Sequence, residues 1–233
     1  MRPKQLEKMR LDWDRRARDN ARHYVENSRE QWSDADFFAS GRQSVADYIL
    51  NDPVNIYQGM APQTMRVLEI GCGAGRMTRA LAELFGEVHA VDVSGEMIAQ
   101  ARAVLADCPN VHLYQNNGCD LSVIPARSFD FAFSMIVFQH IPSYEVIETY
   151  VREVQRLLRP GGLFKFQVDG GAAVNRLSAV DTWHGVAFSA AQAQGMALRC
   201  GFEPRYSIGA GEQYFWLWFF KPETDSAPSP VRW

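Results

Sequence analysis

VLEIGCGAGRMT, residues 67–78, decides the fold. Apolar residues around Glu69 lead into glycines at every second position, Gly71, Gly73 and Gly75, and a helical pattern follows at once. MRVLEI from Met65 reads as a buried strand, while Met77, Leu81, Leu84 and Phe85 mark one face of a helix closed by Gly86. The stretch is therefore the start of a β-α-β unit, with backbone stripped of side chains at the carboxyl end of its first strand.

Downstream the alternation continues. EVHAVDV reads as a strand, and Ser94 caps a helix carrying Met97, Ile98, Ala101, Val104 and Leu105 on one side, ended by Pro109. VHLYQN and FDFAFSMI are further strands, and Val146, Ile147, Tyr150, Val151, Val154, Leu157 and Leu158 form a strong helical stripe. RPGG then turns the chain into the strand LFKFQVD, and a last helix runs from Ser189 to Cys200 and stops at Gly201. EPRYSIG and QYFWLWFF close the fold as an antiparallel pair. Upstream, Leu6, Met9, Trp13, Ala17, Ala21 and Tyr24 recur at helical spacing, Ser33 caps a short helix, and Val45, Tyr48 and Ile49 suggest another that ends near Asp52-Pro53.

This order predicts an α/β, Rossmann-like fold: a seven-stranded, mostly parallel sheet with helices on both faces, an antiparallel last strand and an N-terminal helical cap. The expected organisation is a cap or lid over residues 1–60 within the same domain, a core over 61–222 and a mobile Pro/Ser-rich tail over 223–233. In such sheets ligands bind at the carboxyl ends of the strands, where the strand order reverses. The glycines lie at such an end.

Composition narrows the ligand. The chain has 233 residues, 47% of them hydrophobic, and a net charge of −3, so it holds no large basic field for nucleic acid or an anionic membrane. Acidic residues among the first nineteen argue against a transit peptide, and no apolar run resembles a signal peptide or a membrane span. The expected location is cytoplasmic. Cys72, Cys108, Cys119 and Cys200 lack CxxC pairing and nearby histidines, so the expectation is free thiols and no metal site.

Two cofactors compete for the glycine turn. A dinucleotide fingerprint wants G-x-G-x-x-G, and here its third glycine is Arg76. The spacing is instead Glu69-x-Gly71-x-Gly73-x-Gly75, which resembles the first motif of the class I S-adenosylmethionine-dependent methyltransferases. Asp92 ends the second strand about 20 residues past Gly71, where an acid can accept hydrogen bonds from both ribose hydroxyls. VDVSGEMIAQAR resembles the family's second motif, YQNNGCDL its adenine-binding loop, and SFDFAFSMIVFQHIP and EVQRLLRPGGLFKFQV its fourth- and fifth-strand segments. The likeness is good from Met65 to Asp169, looser over the two final strands, and does not reach residues 1–60.

The resemblance implies S-adenosylmethionine as cofactor and S-adenosylhomocysteine as product. It implies cofactor contacts from Glu69, Gly71, Cys72, Gly73, Asp92, Val93, Met97, Asn117, Gly118, Cys119, Ser134, Met135 and Gln139. Met97 fits both an adenine contact and a core position, and Asn117 both an adenine contact and an ordinary Asn-Gly turn. His140 is the catalytic candidate, a neutral imidazole suited to take a proton from an acceptor; the alternative is that it positions its loop. The cap aromatics Trp13 and Tyr24 and the loop residue His184 are the substrate-side candidates, and the rings of the cap also suit plain helix packing. Ser134-Met135-Ile136-Val137 is not the Asn/Asp-Pro-Pro-Tyr pattern of enzymes that act on nucleobase or glutamine amino groups, which favours a small-molecule acceptor. The other readings are a nicotinamide-dependent oxidoreductase, disfavoured by Arg76, and a catalytically silent cofactor-binding protein.

Overall fold

In this computed structural model the structure describes residues 3–125, 128–171 and 182–223. Seven strands, β1 (Arg66–Ile70), β2 (Glu87–Asp92), β3 (Val111–Gln115), β4 (Phe129–Ser134), β5 (Leu158–Val168), β6 (Glu203–Ile208) and β7 (Phe215–Phe220), form one sheet in the order β3-β2-β1-β4-β5-β7-β6. β1 pairs with β2, β2 with β3 and β4 with β5 in parallel, whereas β7 runs antiparallel to both β5 and β6. The predicted sheet is therefore the one observed, with β7 as its reversed strand. Residues 224–233 of the expected tail lie outside the described residues.

The chain divides into two compact units, one from Arg2 to Gly118 and one from Cys119 onward. The boundary falls after β3, so the N-terminal helices share a unit with β1–β3.

In the first unit, α1 (Pro3–Val25), α2 (Asp34–Val45), α3 (Pro53–Tyr57), α4 (Arg76–Leu84) and α5 (Gly95–Val104) surround β1–β3. α1 follows the expected apolar stripe, with Met9, Ala17 and Ala21 buried, but Asp12, Asp14 and Arg16 are buried too. Ser33 caps α2 by accepting from the Asp36 amide at 3.1 Å. The separate helix expected around Val45–Ile49 is instead a continuation of α2 through a wide turn over Ala46–Leu50. Asp52-Pro53 ends that turn and also starts α3, because Pro53 sits at a first helical position that needs no N–H. Gly86 follows α4 for a reason other than a left-handed cap. A Cβ there would lie 2.3 Å from the Gln63 carbonyl oxygen, so glycine permits a close backbone approach.

The second unit holds β4–β7 with α6 (Tyr144–Leu157) and α7 (Ala190–Arg199). Its core is aromatic: Phe131, Phe133, Phe138, Phe164, Phe166 and Phe219 are all buried. Ser143 caps α6, and Ser189 with Gln192 forms a reciprocal capping box on α7. These caps are local in sequence and sit where the expected helices begin.

Candidate functional site

The first unit concentrates its polar groups at the carboxyl ends of β1 and β2. β1 ends at Ile70, and the amides of Gly71 and Cys72 both donate to the Val91 carbonyl, at 2.8 and 3.0 Å. Gly71, Gly73 and Gly75 all have positive φ, at 78°, 53° and 86°, a conformation that side chains disfavour. A Cβ added at Gly73 would meet α1. It would lie 2.6 Å from Cγ2 of Val25, because the end of α1 packs onto the turn.

Asp92 closes β2, and its carboxylate is clamped: Oδ2 accepts from the Gly73 amide and Oδ1 from the Ser94 amide, each at 2.9 Å. Burial pushes its pKa up to about 6, against the lowering effect of the Ser94 and Gly73 amides, and the charge of Asp14 adds to the rise. Glu69 is buried within β1 and accepts from the Thr78 hydroxyl at 2.6 Å. Burial drives its pKa up to about 7, although the Thr78 bond and the Arg76 charge oppose it. Burial also pushes the Cys72 thiol well up, so Cys72 presents a neutral, apolar side chain.

Val93 and Met97 lead into and along α5. Met97 is 1% exposed in a cluster with Ala17, Ala21, Phe37 and Ala74, with Trp13, Val25, Trp32 and Phe38 packed against it. Its core reading is therefore the one visible here, and all the packing partners but Ala74 and Trp32 come from α1 and α2. In the loop after β3 the inward residue is Asn116, not Asn117. Asn116 is buried, its amide donates to the Asp92 carbonyl at 3.0 Å, and its Oδ1 accepts from the Gly118 amide at 3.3 Å. Asn117 is exposed. A Cβ at Gly118 would lie 2.9 Å from Val93 and 3.0 Å from Met9 of α1, so α1 reaches this loop as well as the glycine turn.

Three contributors were not legible in the sequence. Asp14 of α1 accepts from the Ser94 hydroxyl at 2.7 Å and the Glu96 amide at 3.3 Å, so it adds a second acceptor to the positive end of α5. Arg76 is buried and donates to the Ser40 carbonyl and the Ser44 hydroxyl of α2, at 3.1 and 3.0 Å. Gly41 makes that docking possible, since a Cβ there would lie 2.1 Å from the Arg76 carbonyl oxygen. Such contacts span 32–82 residues of sequence and leave no local signature. Trp13 is half-buried under the Arg16 guanidinium, and the Tyr24 hydroxyl donates to Asp19 at 3.2 Å.

The second unit has its own polar cluster after β4. Ser134 is fully buried at the strand's end, Met135 is half-buried, and Ile136 has φ of 55°. A β-branched residue there is strained. What holds it is Gln167 of β5, fully buried, whose Oε1 accepts from the Ile136 amide at 3.0 Å. The Gln167 amide donates onward to Oε1 of Gln139 at 3.0 Å. Gln139 lies 3.4 Å from Nε2 of His140, and Nδ1 of His140 lies 2.5 Å from the Trp183 carbonyl oxygen. A carbonyl only accepts, so Nδ1 carries the proton and Nε2 is the basic nitrogen. The Gly185 and Val186 amides donate to the Gln139 and Ile141 carbonyls at 2.6 and 3.2 Å, docking this segment along the Phe138–His140 turn. Trp183 packs its ring 5.0 Å from that of His140, whereas His184 is exposed. Cys119 begins this unit and is half-buried.

Residues 67–162 match a family model described as a methyltransferase domain. A ubiquinone biosynthesis O-methyltransferase from Xanthomonas axonopodis pv. citri (strain 306) is 33% identical over 104 residues, 44% of this chain and 42% of that protein. A malonyl-(acyl-carrier protein) O-methyltransferase from Enterobacter lignolyticus (strain SCF1) is 37% identical over 103 residues, 43% of this chain and 38% of that protein. The match thus spans less than half the length of these curated relatives. The fold is similar to that of phosphoethanolamine N-methyltransferase 1 from Haemonchus contortus, solved in complex with phosphoethanolamine and S-adenosylhomocysteine. The TM-score is 0.71 over 99% of this chain and 52% of that one, at 19% identity.

Proposed function

We propose that the protein, whose residues 67–162 match a methyltransferase domain, is a class I methyltransferase that transfers a methyl group from S-adenosylmethionine to a small-molecule acceptor. The observation that carries the reading is the clamped Asp92 carboxylate beside the glycine turn. Two backbone amides fix its orientation without using all its lone pairs, so each oxygen can still accept from a ribose hydroxyl. Gly71, Cys72 and Gly73 offer bare backbone along the cofactor. Val93 and Met97 offer an apolar wall for adenine, and the 116–119 loop offers its polar edge. Ser134, Met135 and Gln139 are proposed as cofactor contacts on the family resemblance alone.

When bound, S-adenosylmethionine supplies a methyl group already activated by its sulfonium. The chain then has to align the acceptor and exclude water. α1 suits the second task, since Val25 and Met9 reach the glycine turn and Gly118. His140 is proposed as a positioning residue. It is buried, and both ring nitrogens face partners, Trp183 on one side and Gln139 on the other. Loss of that ring releases the 183–186 segment. Its alternative role, proton abstraction from a hydroxyl, requires Nε2 to exchange Gln139 for the acceptor.

The oxyanion-rich acceptors of DNA and RNA are not favoured by a net charge of −3. No helix among the described residues is long and apolar enough to cross a membrane. The test is transfer of isotope-labelled methyl from S-adenosylmethionine to a panel of small hydroxyl, carboxylate and amine acceptors, with tRNA and duplex DNA as parallel arms. Label in a small molecule, and its loss in Asp92→Ala, is the expected result. Label in nucleic acid alone would overturn the acceptor class, and saturable NAD binding without S-adenosylhomocysteine binding would overturn the cofactor.

A further inference from the structure

At the opposite end of β2 from Asp92, a second polar cluster lies outside the site described above. Glu87 and His89 are two residues apart on β2 and so share a face of the sheet, and His112 of β3 is the register partner of His89. The ring centroids of the two histidines are 4.6 Å apart. Oε1 of Glu87 lies 2.7 Å from Nε2 of His89 and 3.4 Å from Nε2 of His112, and one ligand atom from each of the three residues falls within 4.8 Å of the other two. We propose that Glu87, His89 and His112 form a binding site for one divalent transition-metal ion of the zinc class.

Zinc bonds of about 2.0–2.2 Å in tetrahedral geometry set ligand atoms about 3.3 Å apart. The Glu87–His112 pair already has that spacing, and the Glu87–His89 hydrogen bond has to open by about 0.6 Å to reach it. Two imidazoles and one carboxylate suit zinc, nickel or copper and not calcium or magnesium, which want oxygen ligands. The surrounding residues orient the set. Nε of Arg66 donates to Oε2 of Glu87 at 2.7 Å and leaves Oε1 toward the histidines. The Tyr114 hydroxyl lies 3.0 Å from Nδ1 of His89, where it can accept Nδ1–H once Nε2 takes the metal.

β3 is an edge strand, and the His112 side chain is 43% exposed against 1% for His89. The ion would therefore enter from solvent at His112 and keep a water in its fourth position. Glu87 opens β2 and Asp92 closes it, which separates the two sites by about 16 Å of strand. The ion would tie the edge strand to β2 without touching the proposed methyl chemistry. An expectation of no metal, drawn from cysteine spacing, overlooks ligands that only strand register brings together.

The test uses untagged, metal-free full chain, titrated with zinc by calorimetry and with cobalt by absorption. One zinc per chain, a rise in Tm, and a cobalt spectrum without a thiolate charge-transfer band are expected. His112→Ala and His112→Gln should bind zinc roughly 10–100-fold more weakly or not at all, with unchanged affinity for S-adenosylhomocysteine. A thiolate band would place the ion on a cysteine and overturn the site. So would the absence of saturable binding, or wild-type affinity in both His112 variants.

Discussion

The unit from Arg2 to Gly118 makes its site largely from backbone, while the unit from Cys119 onward makes its polar cluster from side chains. In the first, amides of Gly73 and Ser94 hold Asp92, and three positive-φ glycines shape the turn. In the second, one buried amide side chain, Gln167, supports a strained Ile136 and feeds a chain through Gln139 to His140 and Trp183. A backbone site tolerates many side-chain changes but not an added Cβ. A side-chain network tolerates backbone adjustment but fails when one member is lost. The difference predicts where each half breaks.

Asp92→Ala should give the largest effect. It removes a charge-assisted, two-point acceptor worth roughly 2–4 kcal/mol, so calorimetry should show S-adenosylhomocysteine binding weakened by roughly 30–1,000-fold with the fold intact. Unchanged affinity would remove the ribose role from this carboxylate and with it the contrast between the halves.

Glu69 gives a test in pH. Its folded pKa of about 7 lies above the ordinary 4.5, so the native state holds more protons between those values and stability falls as pH rises through that window. The shift corresponds to about 3 kcal/mol, present below pH 4.5 and lost by pH 7. Glu69→Gln keeps an acceptor for Thr78 and should flatten that part of the urea-unfolding profile. Parallel profiles for the two proteins would show that Glu69 is not the group responsible.

Smaller effects separate docking from chemistry. Gly41→Ala should destabilise by about 1–3 kcal/mol, because its Cβ would overlap the Arg76 carbonyl and wedge α2 from α4. Gln167→Leu should cost about 1–3 kcal/mol by leaving the Ile136 amide without its acceptor. The discriminating readout is functional: Gln167→Leu should lower kcat by a larger factor than it weakens S-adenosylhomocysteine binding. A loss of cofactor affinity equal to or larger than the loss in kcat would mean that the two halves do not divide the work in this way.

These contrasts also explain what could be read in advance. The sheet, the caps at Ser33 and Ser94, and the Asp92 position follow from local periodicity and short-range hydrogen bonds. In the loop after β3, Asn116 and Asn117 are the same residue type, and only the fold shows that Asn116 is buried and Asn117 exposed. Asp14, Arg76 and Gln167 were not legible, since their partners lie 80, 32 and 31 residues away. Nor does any sequence pattern announce that Ile136 adopts a positive φ. Arg76 is instructive: its mismatch with a dinucleotide motif was visible, but its purpose, anchoring α2, was not.

On the proposed reading, the cofactor binds on the Arg2–Gly118 unit under α1. Hydrogen exchange read by mass spectrometry tests it most directly, comparing the chain alone with the chain saturated by S-adenosylhomocysteine. Slowed exchange is expected at residues 71–75, 92–97 and 116–118 together with α1, whose Met9 and Val25 reach two of those segments. Protection confined to residues outside this unit, or none despite saturation, would contradict it.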